Sequence, residues 1–267
     1  MTVVMNEACK RDNVDHWSYS SAKLILDHGI DYAVAQRLGL LEISYTGAVD
    51  VGTLVHECLI GGEQNFVVNP YADFRKKEAR EWRDVQVKPI INDEQFDVIT
   101  KCTDQVRRHA LYKDLLVNAK HEVKIDATIN GSEWTGRIDA MCVDDKDNVT
   151  GLVDIKTTSS FDSFKQQATK LHYELQVGCY LLMLNKGLNI PFRWLVVETV
   201  APFRVGVFQA APELVKVGVD EVGKCISEYN AFKLRSGKTD AERLSFLDNQ
   251  VYDEISLVYP PSWMINN

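Results

Sequence analysis

Gly136-Arg137-Ile138-Asp139 and Val153-Asp154-Ile155-Lys156-Thr157-Thr158 decide the reading of this chain. Both lie where the hydrophobic period is two residues. Upstream, Glu122, Lys124, Asp126 and Thr128 alternate with Val123, Ile125, Ala127 and Ile129, the repeat of a half-buried strand. Asn130-Gly131 follows, a pair suited to a hairpin turn. Trp134 to Val143 and Val149 to Thr157 read as two more strands, joined by the turn-rich Asp144-Asp145-Lys146-Asp147-Asn148. Three consecutive antiparallel strands are therefore expected. Successive side chains of a strand point to opposite faces, so Asp154 and Lys156 share one surface while Val153 and Ile155 face the other.

Antiparallel pairing can place the Asp139 carboxylate within metal-sharing distance of Asp154. Adjacent carboxylates repel unless a cation lies between them. Magnesium suits them because it takes oxygen ligands and keeps positions for water and phosphate. Such a site fits phosphodiester hydrolysis, with Lys156 kept protonated by two anions and holding the attacking water or the scissile phosphate.

Outward from the strands the period becomes helical. Ser18 to Ser21 can cap a first helix running to about Leu38, and Gly47 to Ile60 reads as a second that contains His56 and ends where Gly61-Gly62 permit positive φ. A helical pattern runs from about Asp93 to Val117 and another from Leu171 to Leu184, which carries Gln176 and Tyr180 four apart on one face. Strands are expected near Arg193 to Glu198 and Arg204 to Gln209, and an amphipathic helix from Pro212 to Leu234.

Gly136-Arg137-Ile138-Asp139 with Val153-Asp154-Ile155-Lys156 resembles the Asp…Asp-x-Lys core of the PD-(D/E)XK nucleases, with Ile138 in place of the proline. Gly52-Thr53-Leu54-Val55-His56 resembles the helical histidine motif of RecB- and RecE-type nucleases, and Gln176 with Tyr180 their Gln-x-x-x-Tyr helix. Tyr19-Ser20-Ser21 and Pro260-Pro261-Ser262-Trp263 are similar to the ends of RecE-like (exodeoxyribonuclease VIII type) phage and prophage exonucleases, so the likeness spans Ser18 to Trp263. The resemblance implies an α/β fold with a mixed, mostly antiparallel central sheet flanked by helices, as one nuclease domain over residues 1–267.

The resemblance further implies that His56, Asp139, Asp154 and the Ile155 carbonyl bind magnesium, with manganese as a substitute, and that Lys156 is catalytic beside Asp139 and Asp154. Gln176, Tyr180, Arg137 and Thr157 would orient the site or the DNA. It implies 5′-to-3′ degradation of linear double-stranded DNA from its ends, leaving 3′ single strands for an annealing protein in recombination. An endonuclease of the same fold, or an inactive DNA-binding module, would carry the same motifs.

Each residue also has a plainer reading. An Asp-x-Lys pair can be an exposed polar face, and His56 a hydrogen-bonded core histidine. Glu122 fits either a second metal site or a solvated strand face. Gln176 and Tyr180 could cap the apolar stripe of Leu175, Cys179, Leu182 and Met183. Arg75, Lys76, Lys77, Arg80 and Arg83 could follow a phosphate backbone or pair with Glu78 and Glu81 on a solvated helix.

The net charge of -8, from 30 basic and 38 acidic residues, has the wrong sign for a protein that coats DNA, so DNA contact must be local. A ring-shaped homo-oligomer with its basic residues facing a channel would reconcile that charge with processive action. The 6 cysteines form no Cys-x-x-Cys pair, which argues against zinc and iron–sulfur sites. With no long apolar run and no signal-peptide layout, a cytoplasmic protein of a bacterial or phage-infected cell is expected, with no membrane contact.

Overall fold

Asn130 and Gly131 both take positive φ, 48° and 78°, and turn the chain between its two longest strands. A computed structural model of the protein describes residues 14–41, 49–61 and 64–249. Before that hairpin come β1 (His16–Trp17), α1 (Tyr19–His28), α2 (Ile30–Arg37), α3 (Val51–Ile60), β2 (Val67–Val68), α4 (Lys77–Asp84), β3 (Ile90–Ile91) and α5 (Asp93–Arg108). The hairpin is β4 (Ala119–Ile129) and β5 (Ser132–Val143), followed by β6 (Val149–Thr158), α6 (Phe164–Lys170) and α7 (Tyr173–Leu184). The chain continues through β7 (Phe192–Glu198), β8 (Val205–Gln209), α8 (Pro212–Ser236) and α9 (Asp240–Asp248).

The expected antiparallel run β4, β5, β6 is present, and β7, β8 and the short β1 extend it into a six-stranded mixed sheet. β7 lies parallel to β6, because α6 and α7 carry the chain across one face between them. On the edge of β5 away from β4, β6 pairs with residues 140–143 and β1 with Glu133 and Trp134. The interval between them is where Asp139 lies.

Helices cover both faces. α1, α2, α7 and α8 bury one side with Trp17, Trp134, Ile138, Leu152, Leu175 and Tyr229, while α3 and α5 bury the other with Val55, Leu59, Val106, Val153 and Ile155. Two glycines let α7 and α8 meet backbone to backbone: a Cβ on Gly218 would stand 1.9 Å from the Glu174 carbonyl oxygen, and one on Gly178 2.3 Å from the Gly218 carbonyl carbon. α7, which carries site residues, is thus clamped between the sheet and α8.

Several boundaries differ from the expectation. The first helix is two, broken at Gly29, whose φ of 87° cannot continue a helix. The second begins at Val51, after the Asp50 side chain caps the Gly52 amide; Gly47 lies outside the described residues. Gly61 ends that helix with φ of -77°, not positive φ, and Gly62 is outside the described residues, as are Cys9 and Pro260 to Trp263. The pattern from Asp93 stops at Arg108 and resumes as a single π-helical turn, Lys113–Val117. The helix expected from Leu171 starts at Tyr173, and α6 and α9 are additional.

The basic segment on α4 is a solvated helix in part paired with its own acids, Lys77 with Glu81 and Arg83 with Asp84. Asp144 accepts from the amides of Lys146 and Asn148, as a turn residue does. Because no room exists between α7 and α8, Gly218→Ala should cost about 1–3 kcal/mol, read as a fall of several degrees in Tm by calorimetry; an unchanged Tm would show that the helices can separate freely.

Candidate active site

Glu122 and Asp139 stand at the same level of the β4–β5 ladder, between the pairs His121↔Ala140 and Val123↔Ile138. Both strands change faces there. On β4, Ala119 packs beside α3 and α5, whereas Val123 and Ile125, of the same parity, pack on the α7 side. On β5, Ile138 packs on the α7 side and Ala140 on the α3 side. Strict alternation would keep each set on one face, so the chain must rotate between them. Glu122 makes the turn in β4 with φ of 51°, a left-handed conformation uncommon for a side-chain-bearing residue.

The same crossover releases β5 from β6. Main-chain pairing ends at Ala140↔Val153, and Asp139 Oδ2 accepts from the Ile155 amide at 2.8 Å. The carboxylate is thereby fixed beside the strand that carries Asp154 and Lys156. Ile155, assigned by resemblance through its carbonyl, has its amide as the contact seen here.

α3 brings His56 to the other oxygen-rich side. Its Nε2 is 3.1 Å from Asp139 Oδ2 and 3.9 Å from Glu122 Oε1. The helix can approach this closely because residue 52 is glycine: a Cβ there would stand 2.4 Å from Thr157 Oγ1. Thr157, expected to orient substrate, thus also seats the helix of His56. Arg137 reaches Glu122 Oε2 at 3.1 Å from the exposed side of β5.

Asp154 is buried on the α7 face, where Gln176 Nε2 donates to its Oδ1 at 2.7 Å and Lys156 Nζ stands 2.7 Å from its Oδ2. The Tyr180 hydroxyl donates to the Arg137 carbonyl at 2.8 Å, and a Cβ on Gly136 would stand 2.6 Å from the Tyr180 ring. That close approach is why the Gly-Arg-Ile-Asp stretch needs its glycine. Gln176 and Tyr180 therefore bind the site's framework from one helix face.

Electrostatics point to a positive guest. Burial pushes Asp154 above the usual carboxylate range; Lys156 opposes the shift and Asp139 adds to it. Burial works against the Lys156 ammonium, but the charge of Asp154 outweighs it and holds the proton more firmly than usual. His56 is raised by its hydrogen bond to Asp139, against burial and with help from the charges of Asp139 and Glu122.

The donor set fits a divalent cation. His56, Glu122 and Asp139 each offer a ligand atom, all within 4.8 Å of one another. Asp154 Oδ2 is sealed from solvent and lies 2.7 Å from the Lys156 ammonium. Carboxylate oxygens suit magnesium and manganese, and imidazole suits divalent transition ions. A second group, His172, Glu174 and Glu221, is accounted for in part by its own ion pairs, with His172 3.1 Å from Glu174 and 3.4 Å from Asp27.

A cleft of about 570 Å³ opens beside His56 and Glu122 and is bounded by Thr53, Asn65, Lys88 and Arg137. Among the described residues no helix is long and apolar enough to cross a membrane.

Residues 18–244 match the family described as a PDDEXK-like domain of unknown function (DUF3799). The chain belongs to this family. Its PDDEXK-like fold, a central mostly antiparallel sheet flanked by helices, agrees with the likeness to the crystal structure of a Eubacterium rectale protein provisionally named an exonuclease. That structure is 15% identical, with 99% of this chain and 98% of the other covered and a TM-score of 0.58. The structure of SSO0001 aligns at 17% identity over 64% of this chain and 84% of its own, with a TM-score of 0.27, too low to bear on the fold. No curated protein matches the sequence.

One residue that touches Lys156, Tyr173, was not singled out from the sequence. Tyr173 lies with its ring under Lys156, and Tyr19 donates to the Leu171 carbonyl at 2.8 Å just before α7. Tyr173 precedes Gln176 by one helical step, and that spacing was the available signal.

If the cluster binds a divalent ion, millimolar Mn²⁺ should raise the Tm of the native protein, since a ligand of the folded state alone stabilises it by about 2.7 kcal/mol at a hundred times its Kd. The rise should vanish in Asp139→Ala and shrink in His56→Ala. Equal rises in all three proteins would remove these residues from the ligand set.

Proposed function

We propose that the chain is a divalent-metal-dependent exodeoxyribonuclease that degrades linear double-stranded DNA. The observation that carries the reading is the junction of Asp139, Asp154 and Lys156, with Lys156 Nζ 2.7 Å from Asp154 Oδ2 and Asp139 held on the Ile155 amide. Magnesium is the expected ion, with manganese as a substitute, held by His56, Glu122, Asp139 and Asp154. A cation held there would lower the pKa of a water and neutralise charge that develops on phosphate and leaving oxygen.

The protein groups supply the rest. Lys156, kept protonated by its buried partner, holds the attacking water or the scissile phosphate as a point charge. Gln176 keeps Asp154 from rotating by occupying Oδ1, which leaves Oδ2 to the Lys156 ammonium. Arg137 and Lys88, on the cleft beside the cluster, offer charge to the flanking phosphates. The contact with DNA is local in this way, which is compatible with a net charge of -8.

Action from DNA ends, 5′-to-3′ polarity and the release of 3′ single strands to an annealing partner rest on the RecE-like motifs. The provisional name of the Eubacterium rectale neighbour is in keeping with an exonuclease. A ring-shaped homo-oligomer acting in the cytoplasm of a bacterial or phage-infected cell completes the reading.

Digestion of linear duplex labelled at its 5′ ends, beside a closed circle, tests it. Native protein with magnesium should release labelled mononucleotide from the linear DNA and leave the circle intact. Asp154→Ala and Lys156→Ala should each lower the rate by roughly a hundredfold or more, the scale of losing one preorganised charge contact. Cutting of the circle would make the enzyme an endonuclease, and binding without cleavage would make it an inactive module.

A further inference from the structure

We propose that Tyr173 is a positioning residue, its ring face holding the Lys156 ammonium in place above the buried carboxylate. The inference rests on the proposed function, which makes Lys156 the charge that must be aimed.

Lys156 Nζ lies over the Tyr173 ring, 4.9 Å from its centroid, a distance at which the ring's negative face attracts a cation. The ring is itself braced. It stacks on Trp194 with centroids 6.1 Å apart and 25° between planes, and meets Phe164 at 6.1 Å. A lysine ammonium sits on a flexible four-carbon stem, so a single carboxylate contact fixes its distance but not its direction. The ring and Asp154 Oδ2 together give it two supports.

The placement follows from α7. Tyr173, Gln176 and Tyr180 form one stripe at helical spacing, and each touches a different part of the site: the Lys156 ammonium, the Asp154 carboxylate and the Arg137 carbonyl. Tyr19 pins the start of the same helix through the Leu171 carbonyl. One helix face thus sets the lysine, the acid and the strand that bears Asp139.

An aromatic ring is also suited to the task by what it lacks. A second carboxylate under the ammonium would attract the same divalent ion as Asp154, and an amide or hydroxyl could do so more weakly. A ring face attracts the ammonium and offers no strong ligand to a hard cation. Lys156 would therefore keep one support that a cation on Asp154 does not contest. The role belongs to the ring and not to its hydroxyl.

The test compares Tyr173→Phe, which keeps the ring, with Tyr173→Leu, which removes it. kcat and KM are measured on linear duplex, and the ε-methylene protons of Lys156, identified by their loss in Lys156→Gln, are followed by NMR without added metal. The phenylalanine variant should keep kcat within about twofold and the leucine variant should lose roughly five- to tenfold in kcat with KM unchanged, the scale of a partly buried cation–ring contact. The upfield displacement of the Lys156 signals by the ring should persist in the first and disappear in the second. If the leucine variant does not fold, Tyr173→Met replaces it.

Equal losses in both variants, an unchanged kcat in the leucine variant, or Lys156 signals indifferent to the ring would each overturn the proposal. If the native protein cleaves no DNA, the nuclease reading falls by itself, and the NMR comparison still decides whether Tyr173 holds Lys156.

Discussion

Main-chain pairing between β5 and β6 stops at Ala140↔Val153, and the next hydrogen bond is made by a side chain, from the Ile155 amide to Asp139 Oδ2 at 2.8 Å. Much of the site's geometry depends on that exchange. A strand amide left without a partner in a buried sheet would carry a desolvation cost of about 1–3 kcal/mol. Asp139 removes it by accepting from that amide, and its carboxylate is held beside the strand that carries Asp154 and Lys156. The neighbouring strand turns at the same level through the left-handed Glu122, which brings a second carboxylate toward His56.

Negative charge collects at this crossover in an ordered way. Asp154 is buried and held by Gln176 and Lys156, while Asp139, Glu122 and His56 line the more open side. Burial of Asp154 would be unfavourable without compensation, and the protein compensates with an amide on one oxygen and an ammonium 2.7 Å from the other. Helices from both faces hold the arrangement, α3 by the contact of Gly52 with Thr157 and α7 by its fit against Gly136 and Gly218.

Much of this was legible in the sequence for physical reasons. Alternation over 122–129 and the Asn-Gly turn define a hairpin, and the two-residue step from Asp154 to Lys156 puts both on one face whatever the neighbours do. His56 and Gln176 were found through the motifs they resemble, and the structure brings both to the carboxylates. The face change at Glu122 and Asp139 was not legible. Periodicity assumes that a strand keeps its faces, so Glu122 reads as one member of a solvated row with Lys124 and Asp126, when it sits at the break in that row. The parallel placement of β7 and the division of the first helix at Gly29 depend on packing between distant segments. Tyr173 was missed because an aromatic residue at a helix start reads as core.

The central claim is that a divalent ion belongs between His56, Glu122, Asp139 and Asp154. Anomalous scattering from crystals soaked in Mn²⁺ tests it most directly, because it locates the ion without reference to activity. The account predicts a peak within coordination distance of Asp139 and Asp154 that is lost in Asp139→Ala. A peak only at His172, Glu174 and Glu221, or no ordered manganese near Asp154, would contradict it.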